Sequence, residues 1–245
     1  MTARSSLAIR RPVAWVTGAS RGIGREIAKQ FASIGCEVCL SARSKERLSS
    51  AVKEIVKLGG RAHSFPCDVS SVRVVSNTAR CIQREVGRID LLVNNAGITV
   101  FKSVLSTSLS DFEKVLATDL FGQIACVKAV LPGMIKRRQG WIINILSNAA
   151  VKTFEGSSAY TAAKSGMLGF AKVLREEMRR YGVKVINVIP GPVETHMWSA
   201  SDRKKYSGRM MTARSVAEAV LSVYQMPGDA VVDELIIRPI LGDID

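Results

Sequence analysis

The stretch PVAWVTGASRGIG, residues 12–24, decides the fold. It begins with a short apolar run that predicts a buried strand, and it continues into a turn with three glycines, Gly18, Gly22 and Gly24. A helical pattern of apolar residues follows the turn. Glycines in that context permit a tight turn and let the backbone approach a pyrophosphate at the helix N-terminus. The stretch therefore predicts a phosphate-binding corner, with the spacing G-x-x-x-G-x-G instead of the commoner G-x-G-x-x-G.

Strand-like apolar runs alternate with helical patterns along the rest of the chain. We predict further strands over 37–41, 61–65, 89–95, 140–146, 183–189 and 231–239. We predict helices over about 25–35, 44–58, 70–86, 110–135, 158–180 and 213–225. Continuous Val, Ile and Leu runs indicate strands that are covered on both faces. The expected fold class is α/β, a doubly wound parallel β-sheet of the Rossmann type with helices on both faces. We expect a single domain over 12–245, after a basic N-terminal tail at 1–11.

The composition limits the partners of the protein. The 245 residues carry a formal net charge of +14, which is compatible with binding to nucleic acid, a membrane surface or a polyanionic small molecule. The basic residues are spread along the chain, however, and the densest run, 136–138, is not interleaved with aromatic residues, so we expect no nucleic-acid binding. No uninterrupted apolar run reaches the ~18 residues that a membrane helix needs, so we expect no membrane insertion.

The cysteines and histidines favour a reducing compartment without a metal site. The chain has five cysteines and no secretory signal, which predicts free thiols and a cytoplasmic location. Cys36 and Cys39 form a C-x-x-C at a predicted strand start, where residues three apart face opposite sides, so we interpret both as buried apolar residues. The two histidines, His63 and His196, lie far apart in sequence, and we expect no metal.

The end of the second predicted strand indicates which dinucleotide binds. An acidic residue about 20 residues after the glycine turn would bind the adenosine 2′-hydroxyl of NAD. This chain instead has LSAR at 40–43, with neutral Ala42 and basic Arg43, and a second arginine, Arg21, lies inside the turn. A 2′-phosphate accepts paired hydrogen bonds from guanidinium groups. The pattern favours NADP(H), and the alternative is that Arg43 only faces water.

A second stretch, SSAYTAAKSG at 157–166, carries candidate reactive groups. It places Tyr160 four residues before Lys164, so that the two side chains share one helix face. A nearby ammonium stabilises tyrosinate and lowers the pKa of a tyrosine, which allows it to act as a proton shuttle. Ser147 follows the predicted strand at 140–146, and its hydroxyl can donate to a carbonyl oxygen as charge develops. No histidine or acid accompanies Ser147 in a nucleophile-elbow context, which argues against a hydrolase.

The motifs, taken in order, resemble the short-chain dehydrogenase/reductase family over roughly residues 12–240. The similar motifs are TGASRGIG (17–24), Asp68-Val69, NNAG (94–97), the set Ser147, Tyr160 and Lys164, and PGPVET (190–195). The resemblance implies an oxidoreductase in which Tyr160 is the acid/base, Lys164 lowers its pKa and holds the nicotinamide ribose, and Ser147 polarises the carbonyl. The cofactor-binding residues expected from the motifs and the resemblance are Gly18, Ser20, Arg21, Gly22, Ile23, Gly24, Arg43, Asp68, Val69, Asn94, Ala96, Gly97, Tyr160, Lys164, Pro190, Gly191, Val193 and Thr195.

One residue departs from the family pattern. The family usually has asparagine where this chain has Asp119, in LATDLFG (116–122), and that asparagine helps to fix a water beside the catalytic lysine. One interpretation is that aspartate is tolerated without consequence. The other is that an ionised Asp119 opposes Lys164 through the water and raises the pKa of Tyr160. Asp119 is therefore included among the candidate catalytic residues.

The substrate stays open at this stage. Phe154, Met197 and Trp198 can wall an apolar pocket or pack as a lid, and a substrate loop is expected over about 194–212. One interpretation is an NADP(H)-dependent carbonyl reductase, which acts on a small-molecule carbonyl or alcohol, and another is a 3-oxoacyl-[acyl-carrier-protein] reductase. Oxidation of an alcohol is a third. A cofactor-binding redox sensor without turnover is the alternative from a different class.

Two surface features bear on macromolecular partners. The basic run 136–138 resembles part of the carrier-protein docking surface, whereas Tyr181 at the second docking position and the ending ELIIRPILGD argue against that branch of the family. By family analogy, the helices at about 104–130 and 157–181 pair with those of other copies, which implies a homotetramer or homodimer.

Overall fold

The computed structural model describes residues 10–244, which form a seven-stranded parallel sheet in the order β3-β2-β1-β4-β5-β6-β7. Residues 1–9, most of the predicted basic tail, lie outside the described residues. The strands are β1 (Val13–Thr17), β2 (Glu37–Ser41), β3 (Arg61–Ser64), β4 (Ile89–Asn94), β5 (Gly140–Ile145), β6 (Val183–Pro190) and β7 (Glu234–Ile237). The predicted fold class is confirmed.

Eight α-helices connect and flank these strands within the described range. They are α1 (Gly22–Ser33), α2 (Lys45–Lys57), α3 (Val72–Glu85), α4 (Leu109–Leu116), α5 (Gly122–Arg137), α6 (Ser158–Arg179), α7 (Ala200–Lys205) and α8 (Ala213–Tyr224). Serine or threonine side chains accept a backbone N–H at the start of five of them, which fixes where these helices begin. These caps are Ser44, Ser71, Ser108, Ser199 and Thr212.

The helices cover both faces of the sheet because the strands are apolar on both faces. All five residues of β1 are buried, as a strand between two helical layers requires. One face packs against α1, α2 and α8, and the opposite face packs against α3, α5 and α6. The chain crosses from the β3 edge back to β4, beside β1, so the order reverses there. Parallel sheets bind ligands at the carboxyl ends of the strands next to such a reversal.

The predicted long helix at 110–135 contains an irregularity that the sequence pattern did not reveal. Helices α4 and α5 are joined by a π-helical turn, Ala117–Phe121, in which hydrogen bonds skip one residue further than in an α-helix. Asp119 lies in this turn and is completely buried. The apolar period of the two helices is continuous enough to predict one helix, since a single inserted residue changes the pattern little.

The same helical stretch, from Leu109 to Arg137, has the length and composition of a membrane-spanning helix. Its most apolar window has a mean hydropathy of 1.4, and 44% of that window is buried inside the protein. Polar residues such as Asp119 interrupt the apolar stretch, so the sequence contains no uninterrupted run of membrane-spanning length. A mostly apolar helix of this kind also serves as a core helix, and α5 packs against α3 and β4.

The C-x-x-C residues lie on opposite faces of the sheet, as predicted. Cys36 packs in the layer of α1 and α8, and Cys39 packs in the layer of α3 and α5. Burial raises the pKa of Cys36 to about 11 and raises that of Cys39 further. Both thiols are therefore held in the uncharged form and act as small apolar residues.

Candidate functional site

A cleft runs along the carboxyl ends of the central strands and consists of two joined cavities. The first, of about 250 Å³, is lined by the glycine turn after β1 and the ends of β2 and β3, and we call it the basic cavity. The second, of about 570 Å³, is lined by Ser147, Tyr160 and Lys164, and we call it the tyrosine cavity. The residues that line both are Ile23, Asn95, Gly97, Thr195 and Met197.

The glycine turn brings the backbone of β1 against the loop that follows β4. Gly18 has φ of +65°, and a Cβ atom at this position would lie 2.8 Å from Cα of Ala96. Gly24 is buried beneath the turn, where a Cβ atom would lie 2.3 Å from Nδ2 of Asn95. Only glycine allows both approaches, because it has no side chain and tolerates a left-handed backbone. Gly18 and Gly22 line the basic cavity, whereas Gly24 supports the turn from below.

Helix α1 begins at this turn without a side-chain cap. Arg21 occupies the N-cap position with an extended backbone, and its side chain makes no capping hydrogen bond. The first turn of α1 also contains no acidic residue. The backbone N–H groups at this helix start are therefore free of a side-chain partner and carry the positive end of the helix dipole. Such a helix start is suited to bind a phosphate group.

Three arginines line the basic cavity. Arg21 and Arg43 lie there as predicted, and Arg47 of α2 adds a guanidinium that the sequence analysis did not identify. The signal was present, since Arg47 follows Arg43 by four residues across the Ser44 cap. Asp68 also lines this cavity, and its carboxylate accepts hydrogen bonds from the backbone and the hydroxyl of Ser70. The cavity combines cationic side chains with neutral Ala42 where an acid would select NAD.

Ser147, Tyr160 and Lys164 meet in the tyrosine cavity, at the ends of β5 and the start of α6. The Nζ atom of Lys164 lies 5.5 Å from the centre of the Tyr160 ring and donates to the carbonyl oxygen of Ile145 at 3.3 Å. The Ser147 hydroxyl donates to Oδ1 of Asn148 at 3.1 Å, and its position beside the Tyr160 phenol acts to lower the pKa of that phenol. Both Tyr160 and Lys164 are buried.

Asp119 contacts Lys164 directly, which corrects the expected arrangement. Its Oδ2 atom lies 3.3 Å from Nζ of Lys164, so no intervening water is needed for the two charges to interact. Its Oδ1 atom accepts the backbone N–H of Ile98 at 2.8 Å. The π-helical turn places the carboxylate beneath the loop after β4, inside the protein.

The buried charges shift one another's pKa values. Burial raises the pKa of the Tyr160 phenol, Lys164 lowers it and Asp119 raises it, and the direction of the combined effect is upward. The predicted lowering by Lys164 is thus present but is outweighed by burial. Burial alone would lower the pKa of Lys164, but Tyr160 and Asp119 raise it. Burial raises the pKa of Asp119, and Lys164 and the Ile98 N–H act against that rise.

The comparison with known proteins identifies the family. A family model described as short chain dehydrogenase matches residues 12–206. This protein is a short-chain dehydrogenase/reductase. A 3-oxoacyl-[acyl-carrier-protein] reductase of Aquifex aeolicus is 38% identical, over 85% of this chain and 88% of its own. A sepiapterin reductase of Chlorobaculum tepidum is 33% identical, over 94% of this chain and 96% of its own. A fatty acyl-CoA reductase of Acinetobacter baylyi is 32% identical, over 89% of this chain and 75% of its own.

Solved structures agree with this assignment. A metagenomic short-chain oxidoreductase in complex with NADP is 33% identical, with a TM-score of 0.83 over 93% of this chain and 96% of its own. A variant of actinorhodin polyketide ketoreductase with NADPH is 32% identical, with a TM-score of 0.88 over 96% of this chain and 98% of its own. The resemblance found in the sequence is therefore confirmed. The short-chain dehydrogenase/reductase described here is an NAD(P)-dependent oxidoreductase, from a family whose substrates are small carbonyls or alcohols.

The basic cavity of this short-chain dehydrogenase/reductase fits a phosphate-bearing dinucleotide. The uncapped start of α1 can bind the pyrophosphate, since Arg21, Gly22 and Ile23 at this helix start line the basic cavity. The missing Cβ of Gly22 leaves the space beside Thr195 open, because a Cβ there would lie 3.5 Å from that side chain. Thr195 lines both cavities and so lies where the two ends of such a ligand would join.

The structure brings most of the predicted cofactor residues to the cleft. The basic cavity is lined by Gly18, Ser20, Arg21, Gly22, Ile23, Arg43, Asp68, Val69, Ala96, Gly97 and Thr195. The tyrosine cavity is lined by Tyr160, Lys164, Pro190, Gly191, Val193 and Thr195, among others. Besides Gly24 below the turn, the exception is Asn94.

Asn94 faces the interior of the sheet, which corrects its expected place at the cleft. It is completely buried, and its Nδ2 atom donates to Oδ1 of Asn144 at 3.1 Å. Asn144 in turn donates to Oδ1 of Asn187 at 3.1 Å, so three neighbouring strands carry a row of amides. The next residue, Asn95, lines the cleft instead and donates to the carbonyl oxygens of Thr17 and Gly18.

Aromatic and sulfur-containing side chains wall the tyrosine cavity. Phe154, Met197 and Trp198 all line it, which favours the pocket-wall interpretation over the lid. Phe101 and Tyr206 join them without having been predicted, because they lie on loops that only the fold brings close. The ring centres of Phe101 and Tyr160 are 6.2 Å apart.

Two of the three consecutive basic residues at 203–205 make contacts within the substrate loop. Arg203 of α7 donates to the carbonyl oxygen of Trp198 at 2.8 Å and to that of Thr195 at 3.4 Å. Lys205 lies over the ring of Tyr206, 4.8 Å from its centre. These contacts fix the loop after Thr195 and do not leave Arg203 pointing into water.

Proposed function

We propose that this enzyme is an NADP(H)-dependent carbonyl reductase. The observation that carries the proposal is the continuity of the cleft, which joins three arginines at one end to Ser147, Tyr160 and Lys164 at the other. A metagenomic oxidoreductase and a polyketide ketoreductase of the same fold were solved with NADP or NADPH, which supports the same cofactor here.

The arginines of the basic cavity supply the preference for NADP(H). Arg21, Arg43 and Arg47 would hold the adenosine 2′-phosphate, because guanidinium groups form paired, charge-assisted hydrogen bonds with phosphate. Ala42 offers no carboxylate to the 2′-hydroxyl of NAD(H). The start of α1 would hold the pyrophosphate, and Thr195 with Pro190, Gly191 and Val193 would line the nicotinamide site.

The residues of the tyrosine cavity supply the proton and orient the substrate. NADPH held in the cleft would supply the hydride for the carbonyl carbon. The Tyr160 phenol donates a proton to the carbonyl oxygen, and the Ser147 hydroxyl hydrogen-bonds to the same oxygen as its charge grows. Lys164 keeps a positive charge beside Tyr160, which stabilises the tyrosinate that remains after proton transfer.

The cavity walls favour carbonyl compounds with an apolar or aromatic group. Phe101, Phe154, Met197 and Trp198 form an apolar surface next to Tyr160, in the cavity of about 570 Å³ that also contains the proposed nicotinamide site. The polar groups that orient a substrate lie at one end, at Ser147 and Tyr160. A ketone with a ring or an alkyl chain would bury that part against the wall.

A screen of cofactor oxidation tests the proposal. Purified enzyme is supplied with NADPH or NADH and a panel of aliphatic, aromatic and 3-oxo carbonyl compounds, and loss of the reduced nicotinamide absorbance is measured. We expect NADPH-dependent turnover of at least one class of apolar ketone, with a lower kcat/KM with NADH. Binding of NADPH without turnover of any substrate, in wild-type enzyme as in Tyr160→Phe, would instead favour a cofactor sensor.

Reduction of 3-oxoacyl groups on acyl carrier protein is the second candidate, and two curated relatives favour it. The 3-oxoacyl-[acyl-carrier-protein] reductases of Synechocystis sp. and Aquifex aeolicus are 39% and 38% identical to this chain. Against it, Arg137 donates to the carbonyl oxygen of Ile89 and Arg138 donates to that of Arg180, so both are engaged in the fold. Comparing kcat/KM for acetoacetyl-carrier protein and acetoacetyl-coenzyme A decides between them, because docking raises only the first.

We also propose that the enzyme assembles as a homotetramer or homodimer. Large apolar side chains are exposed on the outer surface of the helical region, and Leu109 and Phe121 are 81% and 60% exposed. Val173 on α6 is 60% exposed. Exposed apolar groups of this size are typical of a surface that is covered by another copy. Light scattering measures the mass, and Phe121→Glu would reduce it if this surface is the interface.

A further inference from the structure

Asp119 is a titratable group without access to solvent. Its side chain is 0% exposed, and that of Lys164, 3.3 Å away, is 3% exposed. Charged groups at this depth are paired, because burying a lone charge costs several kcal/mol. The Oδ2 atom has no hydrogen-bonding partner of good geometry, so the Lys164 ammonium is the group that balances it.

The backbone around Asp119 is arranged to admit the carboxylate. The π-helical turn Ala117–Phe121 moves the residue out of the regular helical position, and such turns occur frequently at functional sites. Ile98 donates its N–H to Oδ1 at 2.8 Å. Gly97 leaves the necessary room, since a Cβ at Gly97 would lie 2.6 Å from Oδ2. The carboxylate thus connects the loop after β4, which lines both cavities, to the candidate catalytic lysine.

Lys164 lies between two groups that both attract its charge. On one side is the Tyr160 ring, 5.5 Å from Nζ, and on the other is Asp119. The charged or titratable groups that act on Tyr160 in the described structure are Lys164 from α6 and Asp119 from the π-helical turn. The loop after β4 and the end of β5 present uncharged groups, the Ile98 N–H and the Ile145 carbonyl.

We propose that Asp119 is a positioning residue that holds the Lys164 ammonium by direct contact and sets the pH at which Tyr160 ionises. The proposal rests on the proposed role of Tyr160 as proton donor. A carboxylate beside Lys164 offsets part of the positive field at the phenol, so that the phenol keeps its proton to higher pH. With asparagine instead, Lys164 would act on Tyr160 undiminished.

The test is a direct titration of Tyr160 that requires no substrate. The chain has four tyrosines, so the ultraviolet absorbance of tyrosinate is recorded against pH for the wild type and for Tyr160→Phe, and the difference isolates Tyr160. The same pair is measured in the Asp119→Asn background. Asparagine is nearly isosteric, and its carbonyl can still accept the Ile98 N–H. We expect Tyr160 to ionise at lower pH, with about tenfold more tyrosinate at a fixed pH below the midpoint. An unchanged or higher midpoint would overturn the proposal.

A matched variant separates this effect from loss of any acidic residue. Asp233 pairs with Arg175 and Arg179 near the other end of α6, at 3.4 Å and 2.9 Å. Asp233→Asn also removes one carboxylate from a contact with α6, and it should leave the Tyr160 midpoint where it is. An equal shift in both variants would mean that Asp119 has no specific role.

A measurement on the wild type keeps the proposal testable if Asp119→Asn does not fold. The carboxyl carbon shift of Asp119, recorded by NMR with labelled aspartate, should be that of a carboxylate near neutral pH. A protonated carboxyl group there would overturn the proposal. The NADPH-oxidation screen tests the proposed function separately: active enzyme with an unshifted Tyr160 contradicts only the role of Asp119, and a shifted Tyr160 in an inactive enzyme contradicts only the proposed function.

Discussion

The two cavities of the cleft both contain cations, but they hold them in opposite surroundings. Arg21, Arg43 and Arg47 of the basic cavity are exposed and line a space that a ligand can enter. In the tyrosine cavity, Lys164 is buried, and the Asp119 carboxyl group lies 3.3 Å from its Nζ atom inside the protein. An exposed cation increases the affinity for a ligand by pairing with an anionic group of that ligand. A buried cation beside a titratable group instead changes the pKa of that group.

This difference explains how one cleft can combine selection of a cofactor with proton transfer. Charge at the basic cavity discriminates between ligands that carry an extra phosphate and ligands that do not. Charge at the tyrosine cavity acts on a group that belongs to the protein, so its effect appears in rates and in pH dependence. Variants at the two ends should therefore change different measured quantities.

The largest expected effect is at the tyrosine cavity. Tyr160→Phe keeps the ring and its contact with Phe101 but removes the proton donor. We expect kcat to fall by about 10²–10⁴, because general acid catalysis contributes that much, while NADPH affinity measured by fluorescence changes little. A variant that retained near-normal turnover would exclude Tyr160 as the acid.

The next effect belongs to the basic cavity. The double variant Ala42→Asp with Arg43→Ser adds a carboxylate for the 2′-hydroxyl and removes one guanidinium. We expect the ratio of kcat/KM for NADPH over NADH to fall by about a hundredfold, since each charge-assisted contact contributes ~1.5–3 kcal/mol. Arg214→Ser is the control, because Arg214 is an exposed arginine that pairs with Glu218 on α8. If the ratio stays constant in the double variant, Arg43 does not contact the phosphate.

A pair of glycine variants tests the close approach at the turn. Gly18→Ala and Gly59→Ala both place a side chain on a left-handed backbone, with φ of +65° and +83°. Each should lose about 1–2 kcal/mol of unfolding free energy for that reason. Gly18→Ala also pushes on Ala96, so we expect a larger fall in Tm and weaker NADPH binding. Among residues 10–244, apart from its chain neighbours, no heavy atom lies within 4 Å of a Cβ at Gly59. Equal losses in the two variants would show that the approach to Ala96 can relax freely.

The smallest effect is expected at the apolar wall. Trp198→Ala removes part of the surface against which a bulky ketone would pack. We expect KM for aromatic ketones to rise by about tenfold, a loss of ~1.4 kcal/mol, with little change for short aliphatic ketones. A uniform change for all ketones would mean that Trp198 supports the loop and does not contact the substrate.

The strand–turn–helix context and the ordered motifs were sufficient to predict the sheet, its parallel strands and most of the cleft. Each of these motifs lies within a short stretch of residues, so it can be identified in the sequence without knowledge of the fold. The π-helical turn was missed because the apolar pattern of α4 and α5 continues through it. The water expected between Asp119 and Lys164 came from the family resemblance, where an asparagine holds it, whereas Oδ2 of Asp119 lies 3.3 Å from Nζ of Lys164.

Residues that face the cleft are harder to predict than the motifs that contain them. NNAG was identified, and the backbone of Asn94 was expected to line the cofactor. Asn94 is instead the fully buried last residue of β4, and Asn95, just after the strand, lines the cavity. Phe101 and Tyr206 lie more than 40 residues from Tyr160 in sequence. No local pattern brings them to the same cavity, because their positions depend on how the loops fold back over the sheet.

The row of asparagines across the sheet has a consequence for how the chain aligns itself. Asn94, Asn144 and Asn187 are paired in register on β4, β5 and β6. If β5 slipped by one residue, isoleucine would stand opposite both outer amides, and each unsatisfied amide would cost about 1–3 kcal/mol. The slip would also carry Ser147 about 3.3 Å along the strand direction. The amide row therefore destabilises a misaligned β5 during folding. It thereby fixes the distance between Ser147 and Tyr160.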